Sequence, residues 1–114
     1  MKLIDSNHSQ ILARAMDTYS LRQRVTAANI ANIDTPGYKK KEVKFEDELR
    51  RVQESGRMSR AAEITPRIVE TDDEIVLEDQ LLEQSDTQIR VHLVTRSLRM
   101  HFDLLRNGIT GMNR

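Results

Sequence analysis

The 114-residue sequence contains no cysteine, so disulfides and thiolate metal sites are excluded. It has no tryptophan, two phenylalanines and two tyrosines, an aromatic content of 4%. Aromatic side chains supply much of the buried area of ordinary cores, and small domains already bury a lower fraction of their surface. A core here must rest on Leu, Ile, Val, Met and Ala, which points to a chain that completes its core with its neighbours. No apolar run approaches the roughly 18 residues that would read as membrane-spanning. The stretch from Met1 to Ser6 lacks the apolar centre and small-residue cleavage site of a secretory leader, so export would need a route without a cleaved signal.

A net charge is also missing, with 18 basic and 18 acidic residues, but the charges are segregated. Residues 39–60 carry a net +3, residues 70–86 carry eight acids and no base, and residues 87–114 carry a net +4. Blocks of this kind favour complementary pairing between copies or with a partner. The basic excess is small and little aromatic stacking accompanies it, so no nucleic acid is expected as a partner.

Three segments follow from periodicity: residues 1–35, 36–73 and 74–114. The first reads as a helix from about Ser6 to Ile33. Ile4, Ile11, Val25 and Asn32 share a heptad line with Thr18, and Leu21 and Ala28 share the adjacent line with Arg14. Leu12, Met16, Tyr19, Ile30 and Ile33 lie off that seam, so the helix has more than one apolar side. Pro36 disfavours the α conformation at Thr35 and ends the helix. Pro36-Gly37 then fits the two central positions of a type II turn. In the middle, Val43 to Phe45 reads as a short extended piece and Phe45 to Val52 as a short helix. Residues 54–63 read as polar loop and Ile64 to Val69 as a brief extended segment. This middle is expected to be mobile.

The last third reads as the stronger helix. Thr71-Asp72-Asp73-Glu74 matches a capping box, with acids early and arginines late, which complements the helix dipole. Leu77, Gln84, Val91, Leu98 and Leu105 form one heptad line, and Leu81, Gln88, Thr95, Phe102 and Ile109 a second. Leu82, Ile89, Leu93, Met100 and Leu104 occupy a further face, so this helix needs partners on two sides. Gly108 and Gly111 are expected to loosen its end. The fold class is all-α dominated: long N- and C-terminal helices forming a coiled-coil-like hairpin, with a short irregular middle segment.

Chemistry is not evident. His92 and His101 are nine residues apart and do not form a helical metal pair. His8 with Asp5 reads better as an exposed helix start than as a metal pair. No phosphate-cradling glycine loop, hydrolytic triad or EF-hand spacing is present. The Lys39-Lys40-Lys41 cluster with Lys44 fits a solvated loop or an acidic protein patch, such as the 70–86 block of a second copy. No cofactor, metal or catalytic residue is assigned, and the chain does not read as an enzyme.

The run Ala28-Asn29-Ile30-Ala31-Asn32-Ile33-Asp34-Thr35-Pro36-Gly37-Tyr38-Lys39 resembles the N-terminal signature of the bacterial flagellar axial family, which comprises rod, hook and junction subunits. Asp34 stands where many members have Asn; both favour turns. The stretch from Leu93 to Ile109 resembles that family's C-terminal helix. Hook and distal-rod subunits insert β domains between the helices, and this chain has under forty residues there, so the resemblance is to the short proximal-rod subunits. The neighbouring short rod protein FlgC, with its longer and differently worded loop, ranks second.

The resemblance implies a structural subunit of the flagellar basal body, in the periplasmic span of the proximal rod, that self-assembles through its terminal helices and transmits torque. It implies as partners other copies of the chain, the FlgC, FlgF-type and FlgG-type rod proteins, the rod adaptor FliE, the membrane ring protein FliF and the flagellar type III export apparatus. The pattern Phe45-Glu46-Asp47-Glu48-Leu49 resembles the export-gate motif of rod and hook subunits, and equally fits a buried Phe-Leu pair. The assembly face is expected at Ile11, Leu21, Val25, Ala28, Asn29 and Asn32 of the first helix and at Val91 of the last. Leu21, Val25, Ala28 and Asn32 are expected to face Leu98, Phe102, Leu105 and Ile109. A small helical regulator or chaperone that dimerises through the same seams is the reading from another class.

Overall fold

A computed structural model describes the backbone of residues 2–112 and the side chains of residues 7–57 and 60–108. Ile4, Asp5 and Ile109, used in the readings above, lie outside the described side chains. Helix α1 spans Lys2–Ala31 and helix α3 Leu77–Met112. Between them lie strand β1 (Lys41–Lys44), helix α2 (Glu46–Glu54), a 3-10 helix (Met58–Glu63) and strand β2 (Arg67–Glu70). The long helices pack antiparallel. Asn29 meets Gln80, Arg22 meets Glu83, and His8 meets His101 at a ring separation of 5.6 Å. The molecule is 65 × 28 × 15 Å, so length is set by the helices and thickness by little more than one layer packed on another.

The turn after α1 is the one the residues demand. Asn32 Nδ2 donates to the Ala28 carbonyl, and the Thr35 hydroxyl donates to Asn32 Oδ1. The Tyr38 N–H then donates to the Thr35 carbonyl at 3.2 Å, and Gly37 takes φ +80°. That is the positive φ required at the third position of a type II turn, with Pro36 at the second.

The middle is more ordered than the sequence suggests. β1 and β2 pair antiparallel, Lys41 opposite Glu70 and Lys44 opposite Arg67. Val43, Phe45 and Ala61 are buried, and Arg14 Nε donates to the Ala62 carbonyl. The segment expected as polar loop therefore contains a 3-10 helix that packs against α1. Gly56, at φ +74°, ends α2: the Arg57 N–H reaches the Val52 carbonyl and the Gly56 N–H reaches Gln53, the paired bonds of a Schellman ending.

Two local expectations are corrected at α3. The helix starts at Leu77, not in the Thr71–Glu74 capping box. The Thr71 N–H is held by the Lys40 carbonyl at 2.8 Å, continuing the β ladder, and the Thr71 hydroxyl accepts from the Asp73 N–H. Strand pairing thus overrides the local cap signal. At the other end, α3 runs on through Gly108 to Met112.

Candidate assembly surface

α1 is covered on two sides by its own chain, by α3 on one and by the β1/3-10 layer on the other. The junction of the three is polar. Asn29 is 1% exposed. Its Nδ2 donates to the Lys41 carbonyl (2.9 Å) and to Gln80 Oε1 (3.0 Å), and its Oδ1 accepts from the Lys41 N–H (3.1 Å). The carboxamide thus plays the part of a strand neighbour along the outer edge of β1. Two helical turns toward the N-terminus, Arg22 donates to the Val43 carbonyl and makes two bonds to the Glu46 carboxylate, at 2.6 and 2.8 Å. Glu83 lies 3.6 Å from Arg22 Nε. Burial opposes charge on Arg22, but the Glu46 carboxylate outweighs it and holds the guanidinium pKa up. Burial likewise pushes the Glu46 carboxyl up, and the Arg22 hydrogen bonds reverse this, leaving it below its ordinary value.

A polar groove of about 310 Å³ opens beside this junction, lined by Arg22, Asn29, Lys41, Asp79 and Glu83 among others. Arg22, Asn29, Lys41 and Glu83 hold one another or nearby backbone, an arrangement suited to fixing three elements. Among the described residues there is no group of three or more possible metal ligands, and no helix is long and apolar enough to cross a membrane.

The expected assembly residues separate into two sets. Val25 and Asn29 are buried within the protomer, and Ile11, Leu21, Ala28, Asn32 and Val91 are half-buried. The heptad line through Ile11, Thr18 and Val25 does face inward, with Thr18 and Val25 buried. The expected facing of Leu21, Val25, Ala28 and Asn32 with Leu98, Phe102 and Leu105 does not occur within one chain. Those α1 residues lie level with Gln80 and Glu83, whereas Leu98 and Phe102 lie level with the turn around His8. The inward face of α3 is Gln80, Thr87, Val91, Val94, Leu98 and His101. Arg22, Gln80 and Glu46 were not singled out from the sequence. A polar residue's partner 24 or 51 positions away leaves no local signal.

The outer face of α3 is where the protomer is incomplete. Leu82, Ile89, Leu93, Met100 and Leu104 are 58–69% exposed. Their spacing of seven and four residues sets them along one side of the helix. A contiguous apolar stripe of this length on a small protein marks an association surface.

One similarity to known proteins lies in the chain's N-terminal third. Residues 10–39 match the family model described as flagella basal body rod protein. The match covers α1 from Gln10 through the Pro36-Gly37 turn. The similarity extends to one member in particular, the flagellar basal body rod protein FlgB. The chain is 49% identical to that of Escherichia coli K12 over 43 residues, which is 38% of this chain and 31% of the relative. It is 58% identical to that of Borrelia hermsii over 38 residues, 33% of this chain and 28% of the relative. With that of Proteus mirabilis HI4320 it is 41% identical over 56 residues, 49% and 39% of the two chains. The chain thus matches about a third of the length of these curated relatives. FlgC, the second choice from sequence, is not favoured.

Proposed function

We propose that this chain is a structural subunit of the bacterial flagellar basal body, a proximal-rod component that polymerises through its terminal helices and transmits torque. The observation that carries the reading is the uncovered α3 stripe, Leu82 to Leu104, on a protomer whose other long helix carries the rod-protein signature. α1 is occupied on two sides within the chain, so α3 supplies the main adhesive face, with Ile11, Leu21, Ala28, Asn32 and Val91 contributing from the rim of the helix pair. The partners are further copies of the chain, the FlgC, FlgF-type and FlgG-type rod proteins, the adaptor FliE, the ring protein FliF and the type III export apparatus. The site of action is the periplasmic part of the basal body. Phe45 is 3% exposed in the fold, so its export-gate pattern is offered only by an unfolded chain. The role is mechanical and involves no catalysis or cofactor.

The test is deletion of the chain from its source bacterium, with swimming scored and basal bodies imaged. Basal bodies that keep the membrane ring but lack rod, hook and filament support the reading. Swimming cells with complete flagella overturn it and favour the small helical module.

A further inference from the structure

The chain has three histidines, His8, His92 and His101, and the antiparallel packing of α1 on α3 brings two of them together. His8 lies near the start of α1 and His101 near the end of α3, with ring centres 5.6 Å apart and ring planes inclined by 55°. Both residues are half-buried. Among the described residues neither makes a hydrogen bond or an ion pair, so each imidazole keeps a nitrogen lone pair uncommitted. The hydrogen bonds that fasten the middle segment to α1 run from Arg14 to Asn29. His8 lies beyond them, where α1 rests on α3.

The geometry points to a binding site for one divalent transition-metal ion of the zinc type, held between the His8 and His101 imidazoles. Imidazole is a ligand that suits zinc, nickel and copper alike. Two imidazoles bound to one zinc at about 2.0–2.1 Å, at a near-tetrahedral angle, have ring centres about 5 to 5.5 Å apart. Turning each ring about χ2, which is broadly allowed for histidine, aims a nitrogen at the shared position, and a few degrees of χ1 close the remaining spacing. Both residues border solvent, so water completes the coordination shell. The two ligands come from opposite ends of the chain and meet only when the helices pair. Binding is therefore coupled to the fold and stabilises it. The ion staples the end of the helix pair that lies beyond the Arg14–Ala62 bond. The site needs only the α1–α3 pairing and does not depend on the rod reading. Spacing along the sequence hid it, since the partner of His8 is at the far end of the chain.

The full chain, stripped with a chelator, is dialysed against Zn2+ at pH 7.5. About one ion per chain is expected. His8→Gln and His101→Gln each leave one imidazole of the pair. Each is expected to weaken binding at least about tenfold, because the second ligand no longer acts at the high effective concentration that folding gives it. His92 is exposed and has no ring contact among the described residues, so His92→Gln is the control and is expected to bind as the wild type does. Excess Zn2+ is expected to raise the thermal midpoint by about 5 °C or more and to slow amide exchange at the paired helix ends. Both effects should appear in the wild type and His92→Gln and be lost in the other two variants. No binding, or equal binding by all four proteins, overturns the site. A loss in His92→Gln as large as in the other variants also overturns it, since an unfolded chain uses its histidines without distinction. Dimers that form in light scattering only when Zn2+ is added would place the ion between chains and overturn the clamp within one.

Discussion

The carboxamide of Asn29 closes on both backbone groups of Lys41, donating to its carbonyl at 2.9 Å and accepting from its N–H at 3.1 Å. A two-stranded ribbon has two edges, and an unpaired edge exposes a row of donors and acceptors. Asn29 covers the β1 edge at Lys41, and Arg22 covers it at Val43. The strand is thereby fastened to α1, and through Gln80 to α3.

Asn29→Asp keeps the size of the side chain and removes its two donor bonds, leaving the Lys41 carbonyl and Gln80 Oε1 facing a carboxylate. Unfolding in urea is expected to show a loss of about 2–4 kcal/mol, since a buried polar group left without its partner costs about 1–3 kcal/mol each. A change under about 0.5 kcal/mol would mean that the junction does not hold the middle segment.

The Arg22–Glu46 pair makes stability depend on acid. The Glu46 carboxyl is held below its ordinary value of 4.5 by the Arg22 hydrogen bonds that outweigh its burial. A group whose pKa is depressed by folding stabilises the fold fully above its unfolded value, and that contribution fades as pH falls through the folded value. Arg22 stays charged throughout this range. Glu46→Gln is therefore expected to lower stability at pH 7 and to flatten the acid limb below about pH 4.5. Urea midpoints from pH 7 to pH 3 check this; parallel curves for the two proteins would contradict it.

The long helices, the Pro36-Gly37 turn and the extended pieces around Val43 and Ile68 were legible because each has a local cause: heptad spacing, a fixed proline φ, β-branched residues. The pairing of Lys41–Lys44 with Arg67–Glu70 was not, since four-residue strands carry no register signal of their own. The false start of α3 at Thr71 has the same origin: the local cap pattern is genuine, but the Lys40 carbonyl takes the Thr71 N–H first. Of the assembly surface, the Leu82–Leu104 stripe was readable from spacing. That Asn29 is spent inside the protomer was not, because its partners come from β1 and α3.

Thr87 sits at the α1–α3 contact with 1% exposure, and its hydroxyl has no hydrogen-bond partner among the described residues. Valine fills nearly the same space without a polar atom to desolvate. Thr87→Val is expected to stabilise the protein by about 1 kcal/mol, read as a rise in thermal midpoint. A fall of similar size would indicate that the hydroxyl is bonded in solution.

Charge placed on the two long helices should separate folding from assembly. Val25 is 7% exposed at the contact between the helices. Val25→Asp buries an unpaired carboxylate and is expected to cost about 3 kcal/mol or more, so loss of rods in that variant would follow from a failed fold. Leu98 is half-buried and mixes the two effects. Leu93 is 58% exposed on the outer stripe, where Leu93→Glu leaves the protomer within about 0.5 kcal/mol of wild type. A rod built through that stripe would nevertheless be blocked, because the carboxylate would enter an apolar contact between copies. Leu93→Glu is therefore expected to give normal helical content and thermal midpoint together with non-motile cells lacking rods. Swimming cells carrying this variant would remove the stripe from the assembly contact. A collapsed thermal midpoint would instead place Leu93 in the core of the protomer, against the exposure that the structure gives it.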